Sequence, residues 1–289
     1  MTRLRVRHLG RPASGFSHEG TNNMSAQDSL REGRITDALI EVQDAVRNDP
    51  ARREHRVFLF QLLCVLGHWD KALNQLNVLR ELDAAMLPMA GAYQEAIQCE
   101  ALRAAVFDGT RSPLIFGEPE PWLALLVQSL RAAGEGNPAA AGDLRDQALA
   151  QAPATAGTID GNSFEWIADA DSRLGPVLEA IINGSYYWVP VHRIRRIDIE
   201  PPEDLRDVVW MPAHFVWANA GDVVGLIPTR YPGSQASEDP QIPLSRKTDW
   251  IDAGRGVFHG LGQRMLATDA GEYPLMDTRV IVLNSNDES

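Results

Sequence analysis

Hydrophobic positions recur at helical spacing through the first half of the chain and give way to short alternating runs in the second. Phe58, Leu59, Leu62, Leu63 and Leu66 form one apolar stripe, the pattern of a helix that buries a single face. Small residues add a longer period. Gly33, Ile35, Ala38, Leu39 and Asp49 recur 34 residues on as Gly67, Trp69, Ala72, Leu73 and Asp83, which is the tetratricopeptide (TPR) spacing. Glycine permits a tight turn between two helices, and alanine five residues later lets them approach closely. Pro50 ends the first unit, and Gly136, Ala141, Ala148 and Pro153 repeat the spacing of Gly33, Ala38, Ala45 and Pro50 in a looser third copy. Met89 to Val106 reads as a further helix that breaks the register.

Beyond residue 153 the texture changes. A linker of small, turn-forming residues (APATAGTIDGN) leads into β-branched and aromatic runs broken by proline and glycine. Residues 186–199, 208–217, 223–227 and 279–283 are strand candidates, and Asn183-Gly184 reads as the cap of a preceding helix. The predicted fold class is α+β. A TPR-like helical repeat domain spans 25–153, and a smaller β-rich domain, an antiparallel sheet or partly open barrel, spans 154–289 with linking helices at 162–183. Residues 1–24, arginine-rich and aperiodic, are expected to be a disordered tail or an overextended start, with Met24 rather than Met1 as initiator.

Composition narrows the function classes. A formal charge of -12 disfavours general nucleic-acid binding, which needs a basic face to neutralise phosphates. Lysine occurs only at Lys71 and Lys247, and neither follows a glycine, so a phosphate loop built on lysine is not expected. Cys64 and Cys99 lie in apolar, helix-like text without a secretory segment before them, which points to a reducing cytoplasm. No apolar run reaches the length of a membrane span.

Candidate chemistry concentrates in FEWIADADSRLGPVLEA, Phe164 to Ala180. Glu165, Asp169 and Asp171 are the residue types of acid/base or divalent-metal chemistry, so a metal- or acid-dependent hydrolase is the alternative function. If the segment is helical, Glu165, Asp169 and Arg173 instead share one face as a salt-bridge ladder. Asn162 and Glu165 then have capping-box spacing, and Pro176 suits the first turn of a second helix. That structural use of the carboxylates is the favoured reading.

Other motifs are weaker. The glycines between Gly254 and Gly262 lack the strand, helix and acid of a dinucleotide loop and read as turns and bulges. The histidines have no zinc-binding spacing, and no serine or cysteine sits in a nucleophile motif. His192 to Arg196 reads as a solvated strand face or an anionic docking patch. Trp166, Trp188, Trp210, Trp217 and Trp250 cluster in the second half, mostly as core, with one exposed hot spot among them.

Several blocks carry a resemblance: LFQLLCVLGHWDKALNQL (Leu59 to Leu76), GNSFEWIADADSRLGPVLEAIINGSYYWVP (Gly161 to Pro190), PPEDLRDVVWMPA (Pro201 to Ala213), IPTRYPGS (Ile227 to Ser234) and GQRML (Gly262 to Leu266). From about residue 25 to 283 the chain resembles the ImpE/SciE family, the TagJ accessory proteins of bacterial type VI secretion. The resemblance implies a non-enzymatic cytoplasmic adaptor that binds the N-terminal helix of the small sheath subunit TssB and links it to the ClpV disassembly ATPase. It implies no catalytic residues, cofactor or metal. A helical-repeat domain has a groove able to seat such a helix. Residues expected to serve partner binding or the domain junction are Trp69, Glu165, Trp166, Asp169, Asp171, Arg173, Trp210, Arg230 and Tyr231.

Overall fold

The computed structural model describes residues 21–254 and 256–284. Residues 1–20 of the expected tail lie outside the described residues, whereas 21–24 open the first helix. Seven helices come first: α1 (Thr21–Arg31), α2 (Ile35–Asn48), α3 (Arg53–Val65), α4 (Trp69–Leu82), α5 (Leu87–Phe107), α6 (Pro121–Gly134) and α7 (Pro138–Gln151), with strand β1 (Leu114–Ile115) between α5 and α6. The rest is sheet-rich: β2 (Gly157–Ile159), β3 (Asn162–Phe164), β4 (Ile167–Asp169), β5 (Val177–Ile182), β6 (Ser185–Pro190), β7 (Ile194–Ile199), β8 (Trp210–Trp217), β9 (Asp222–Pro228), β10 (Thr248–Asp252), β11 (Phe258–Gly262), β12 (Met265–Thr268), β13 (Glu272–Pro274) and β14 (Val280–Leu283). The α+β class and the helical-then-sheet order follow the sequence reading.

The repeat glycines close the helical hairpins. Gly33, Gly67 and Gly136 have φ of 79°, 68° and 78°, the left-handed conformation that only glycine adopts without cost. Each donates its N–H three residues back while the next residue donates five back, as in Arg34 to Ser29, His68 to Leu63 and Asn137 to Ala132. The alanines five residues on, Ala38, Ala72 and Ala141, are buried where the paired helices meet. The repeat is thus one capping motif used three times.

Strands order as β1-β6-β5-β9-β8-β7-β14-β2-β3 in a nine-stranded sheet, antiparallel throughout except for the β1/β6 pair. A three-stranded sheet β13-β12-β4 and the separate hairpin β10-β11 complete the architecture. One core fills the space between helices and sheet, joining Phe60, Tyr93, Trp122 and Leu126 to Val177, Ile181, Trp188 and Trp210. A second cluster lies on the other sheet face, between Leu178, Ala180, Val189, Ile197, Phe215 and Leu266. Strand β5 therefore alternates between two buried faces, and its run VLEAII is buried at every position.

The expected linking helices at 162–183 are replaced by β3, β4 and β5. Two aspartates decide this locally. Asp169 accepts the N–H of Asp171 at 2.8 Å and Asp171 accepts that of Arg173 at 2.9 Å, side-chain turns that compete with helix. The Glu165–Asp169–Arg173 ladder, the Asn162 cap and the helical role of Pro176 fall with the helix. Asn183-Gly184 is the two-residue turn joining β5 to β6, with φ of 49° and 73°, rather than a helix cap.

Candidate functional site

Four charged residues of the Phe164–Ala180 segment, Asp169, Asp171, Arg173 and Glu179, converge on the seam between helices and sheet. Glu179 points from β5 to the helical side and is wholly buried, a position that an acid can hold only if paired. Arg103 of α5 grips it with two bonds, Nε to Oε1 at 2.6 Å and Nη2 to Oε2 at 3.0 Å. Tyr186 donates to Oε1 at 2.6 Å, and Trp188 Nε1 donates to the Tyr186 hydroxyl at 2.8 Å. Arg264, also wholly buried, bridges Glu179 to Asp169 and sends Nε to the Pro228 carbonyl at 2.9 Å. Tyr231 donates to Asp169 Oδ1 at 3.0 Å, and Asp171 receives Arg173 Nη2 at 2.5 Å and the Gly260 N–H at 2.8 Å. Two carboxylates thus alternate with two arginines across the seam.

Electrostatics match that arrangement. Burial acts to raise the Glu179 pKa, but Arg103 and Arg264 outweigh it and hold the group down at about 2. Asp169 has less compensation: burial pushes it up to about 6 against the pull of Arg264, which leaves it ionised at neutral pH. Burial lowers Arg230 to about 10, still a cation. Burial also raises both thiols, Cys99 to about 11, so neither cysteine is an activated nucleophile.

Arg230 ties the seam elsewhere. It donates to the Val65 and Cys64 carbonyls at 2.6 and 2.9 Å and to that of Pro243 at 2.7 Å. A helix ends with unpaired carbonyls and partial negative charge, so the guanidinium of Arg230, two residues past the end of β9, caps α3. Beside it Trp210 packs 5.9 Å from both Trp69 and Tyr93 and donates to Glu100 at 2.9 Å.

Of the residues singled out in the sequence, Trp69, Asp169, Asp171, Arg173, Trp210, Arg230 and Tyr231 belong to this seam. Glu165 and Trp166 do not: they sit exposed between β3 and β4, where Asp269 accepts the Glu165 N–H. The three carboxylates of the hydrolase alternative are therefore not gathered in one open cleft. Among the described residues, no group of three or more metal-ligating side chains converges. Arg103, Glu179, Arg264 and Tyr186 carry the network and went unrecognised in the sequence. The available signal was a charge set inside an apolar run, VLEAII for Glu179 and QRMLA for Arg264.

The remaining motifs also find structural uses. Gly260 packs on the Tyr231 ring, which a Cβ would meet at 2.2 Å. His192 and Arg193 do not face solvent as a strand: they lie in a 3-10 turn, Val191–Arg193, and hold Glu120 at 3.0 and 2.6 Å. Trp188, Trp210 and Trp217 are core, while Trp166 and Trp250 are partly exposed.

Residues 161–282 match the family model described as ImpE protein. The type VI secretion system accessory component TagJ of Pseudomonas aeruginosa is 48% identical over 273 residues, covering 94% of this chain and 96% of that protein. A Vibrio parahaemolyticus protein of known crystal structure shares the fold at a TM-score of 0.83 and 25% identity, over 91% of this chain and 98% of that one. With a relative this similar along nearly its whole length, the chain belongs to the ImpE family.

Proposed function

We propose that this protein is an accessory component of a type VI secretion system, acting in the cytoplasm as a non-enzymatic adaptor. The 48% identity to TagJ along 94% of the chain carries the reading. The use of Asp169, Asp171 and Glu179 as ion-pair partners inside the seam supports it, since acids held this way hold arginines rather than substrate. Its proposed partners are the N-terminal helix of the small sheath subunit TssB and the ClpV ATPase. The contact to that helix would rest on a few apolar anchors at i, i+3, i+4 and i+7. The seam explains what an adaptor gains from this architecture, because a rigid junction fixes the relative placement of two binding surfaces.

Co-purification tests the proposal. The tagged full chain should retain intact TssB and lose it when the N-terminal helix is deleted, and ClpV should join the complex only while TssB is present. Equal retention of the helix-deleted subunit would overturn the assigned contact.

A further inference from the structure

The face of the helical array that carries Phe60, Tyr93 and Trp122 is filled by this protein's own sheet, through Trp188, Val209 and Trp210. The turns of the first two helical hairpins are covered as well, by the segment that joins β9 to β10, residues 229–247. In a stack of helical repeats each unit touches only its neighbours, so units open singly and the curvature of the stack is soft. A segment that crosses two units changes both properties.

Its path follows the repeat glycines. A Cβ on Gly33, between α1 and α2, would meet the Gln241 amide at 3.1 Å and Pro240 at 3.4 Å, and one on Gly67, between α3 and α4, would meet Gln235 at 2.6 Å. At Gly136, between α6 and α7, φ is also positive but nothing lies within 4 Å, so the left-handed cap by itself does not bring a second segment close. The two ends of the segment carry arginines that cap equivalent helices of the two units. Arg230 donates to the Cys64 and Val65 carbonyls at the end of α3, and Arg246 Nη1 donates to the Arg31 carbonyl at the end of α1 at 3.0 Å. The segment is also fastened to the sheet side. Buried Ser234 donates to the Tyr231 carbonyl at 2.6 Å and accepts the Gly262 N–H at 2.8 Å, and buried Ser245 donates to the Val208 carbonyl at 2.7 Å. Leu244 is buried in the core between helices and sheet.

We infer that residues 229–247 are a strap that locks the curvature of the first two repeats, so that helices α1 to α4 open together with the sheet rather than repeat by repeat. The α6–α7 turn lies outside the strap. A partner docking on α1 to α4 then meets a surface of preset shape, and no binding energy is spent on ordering it. This goes beyond the adaptor reading and does not depend on it.

Hydrogen exchange of the full chain, followed by mass spectrometry in urea below the unfolding midpoint, tests this. Amides of α2, α3 and α4 should lose protection along the same urea curve as those of β5 and β8. Loss of protection in α2, α3 and α4 at urea concentrations where β5 and β8 stay protected would overturn the strap. A second arm loosens it with the double variant Gln235→Gly/Arg246→Ala, which removes the contact at Gly67 and the cap on α1. Exchange in α2, α3 and α4 should then rise at least about tenfold more than in β5 and β8. An equal rise in helices and strands, or no change, would also overturn it. The first arm uses the native chain, so it decides the matter even where the double variant does not fold. Neither result touches co-purification with TssB, so the two proposals fail separately.

Discussion

Arg103 and Glu179 lie 76 residues apart in sequence and meet as a bidentate pair with almost no solvent access, one on helix α5 and the other on strand β5 within the nine-stranded sheet. A pair so placed registers the two halves of the molecule. Removing one partner leaves the other charged and buried, which costs about 3–5 kcal/mol, whereas well-packed apolar replacements of both come out nearer neutral. Arg103→Met and Glu179→Leu should each destabilise strongly, and the double variant should lose clearly less than their sum. Denaturant unfolding of the four proteins measures that coupling; additive losses would show that the pair does not act as a unit.

Acid should remove the Glu179 share of the seam's stability with a defined sign, whereas Asp169, raised to about 6, titrates in the opposite sense. Glu179 is held at about 2, below its ordinary 4.5, so its ionised form stabilises the folded state. That stability is fully present above pH 4.5 and is lost as pH falls towards 2, up to roughly 3 kcal/mol. The stability gap between the native chain and Glu179→Gln should therefore narrow between pH 5 and pH 3, as followed by urea unfolding at each pH.

Arg230 makes a different prediction, because its three hydrogen bonds go to carbonyls rather than to a carboxylate. Charge alone does not replace a planar fork that spans Cys64, Val65 and Pro243. Arg230→Lys should cost about 2 kcal/mol or more and should increase hydrogen exchange at the end of α3. Unchanged exchange there would remove the capping role.

The repeat glycines should differ among themselves. Gly136 has a positive φ and open space around its Cα, so Gly136→Ala should cost about 1 kcal/mol, the backbone term alone. At Gly67 the added Cβ would also meet Gln235 at 2.6 Å, a contact with the loop that leads to the hairpin. Gly67→Ala should be the more destabilising of the two by thermal unfolding.

The helical half was legible because its signals are local. Glycine at a left-handed cap and alanine at a close helix crossing recur at fixed spacing, and Gly33, Gly67 and Gly136 all serve the role their spacing implies. Strands β7, β8, β9 and β14 were legible from β-branched alternation. The segment from Phe164 to Ala180 was not, because a strand buried on both faces shows no alternation and Val-Leu-Glu-Ala reads like helix. Its partners were hidden for another reason: Glu179 finds Arg103 and Arg264 at separations of 76 and 85 residues, which no spacing rule reports. The structural use of these acids was expected on a helical ladder, whereas Asp169 and Asp171 pair with Arg264 and Arg173 from β4 and the turn after it, and Glu165 stays exposed.

The central claim is that this chain is an adaptor that binds a sheath helix. Calorimetric titration of the full chain with the isolated N-terminal helix of TssB tests it most directly. The adaptor account predicts a saturable single-site isotherm with Kd at or below tens of micromolar, about -6 kcal/mol or stronger. No detectable heat at those concentrations, with the protein shown to be folded, would contradict it.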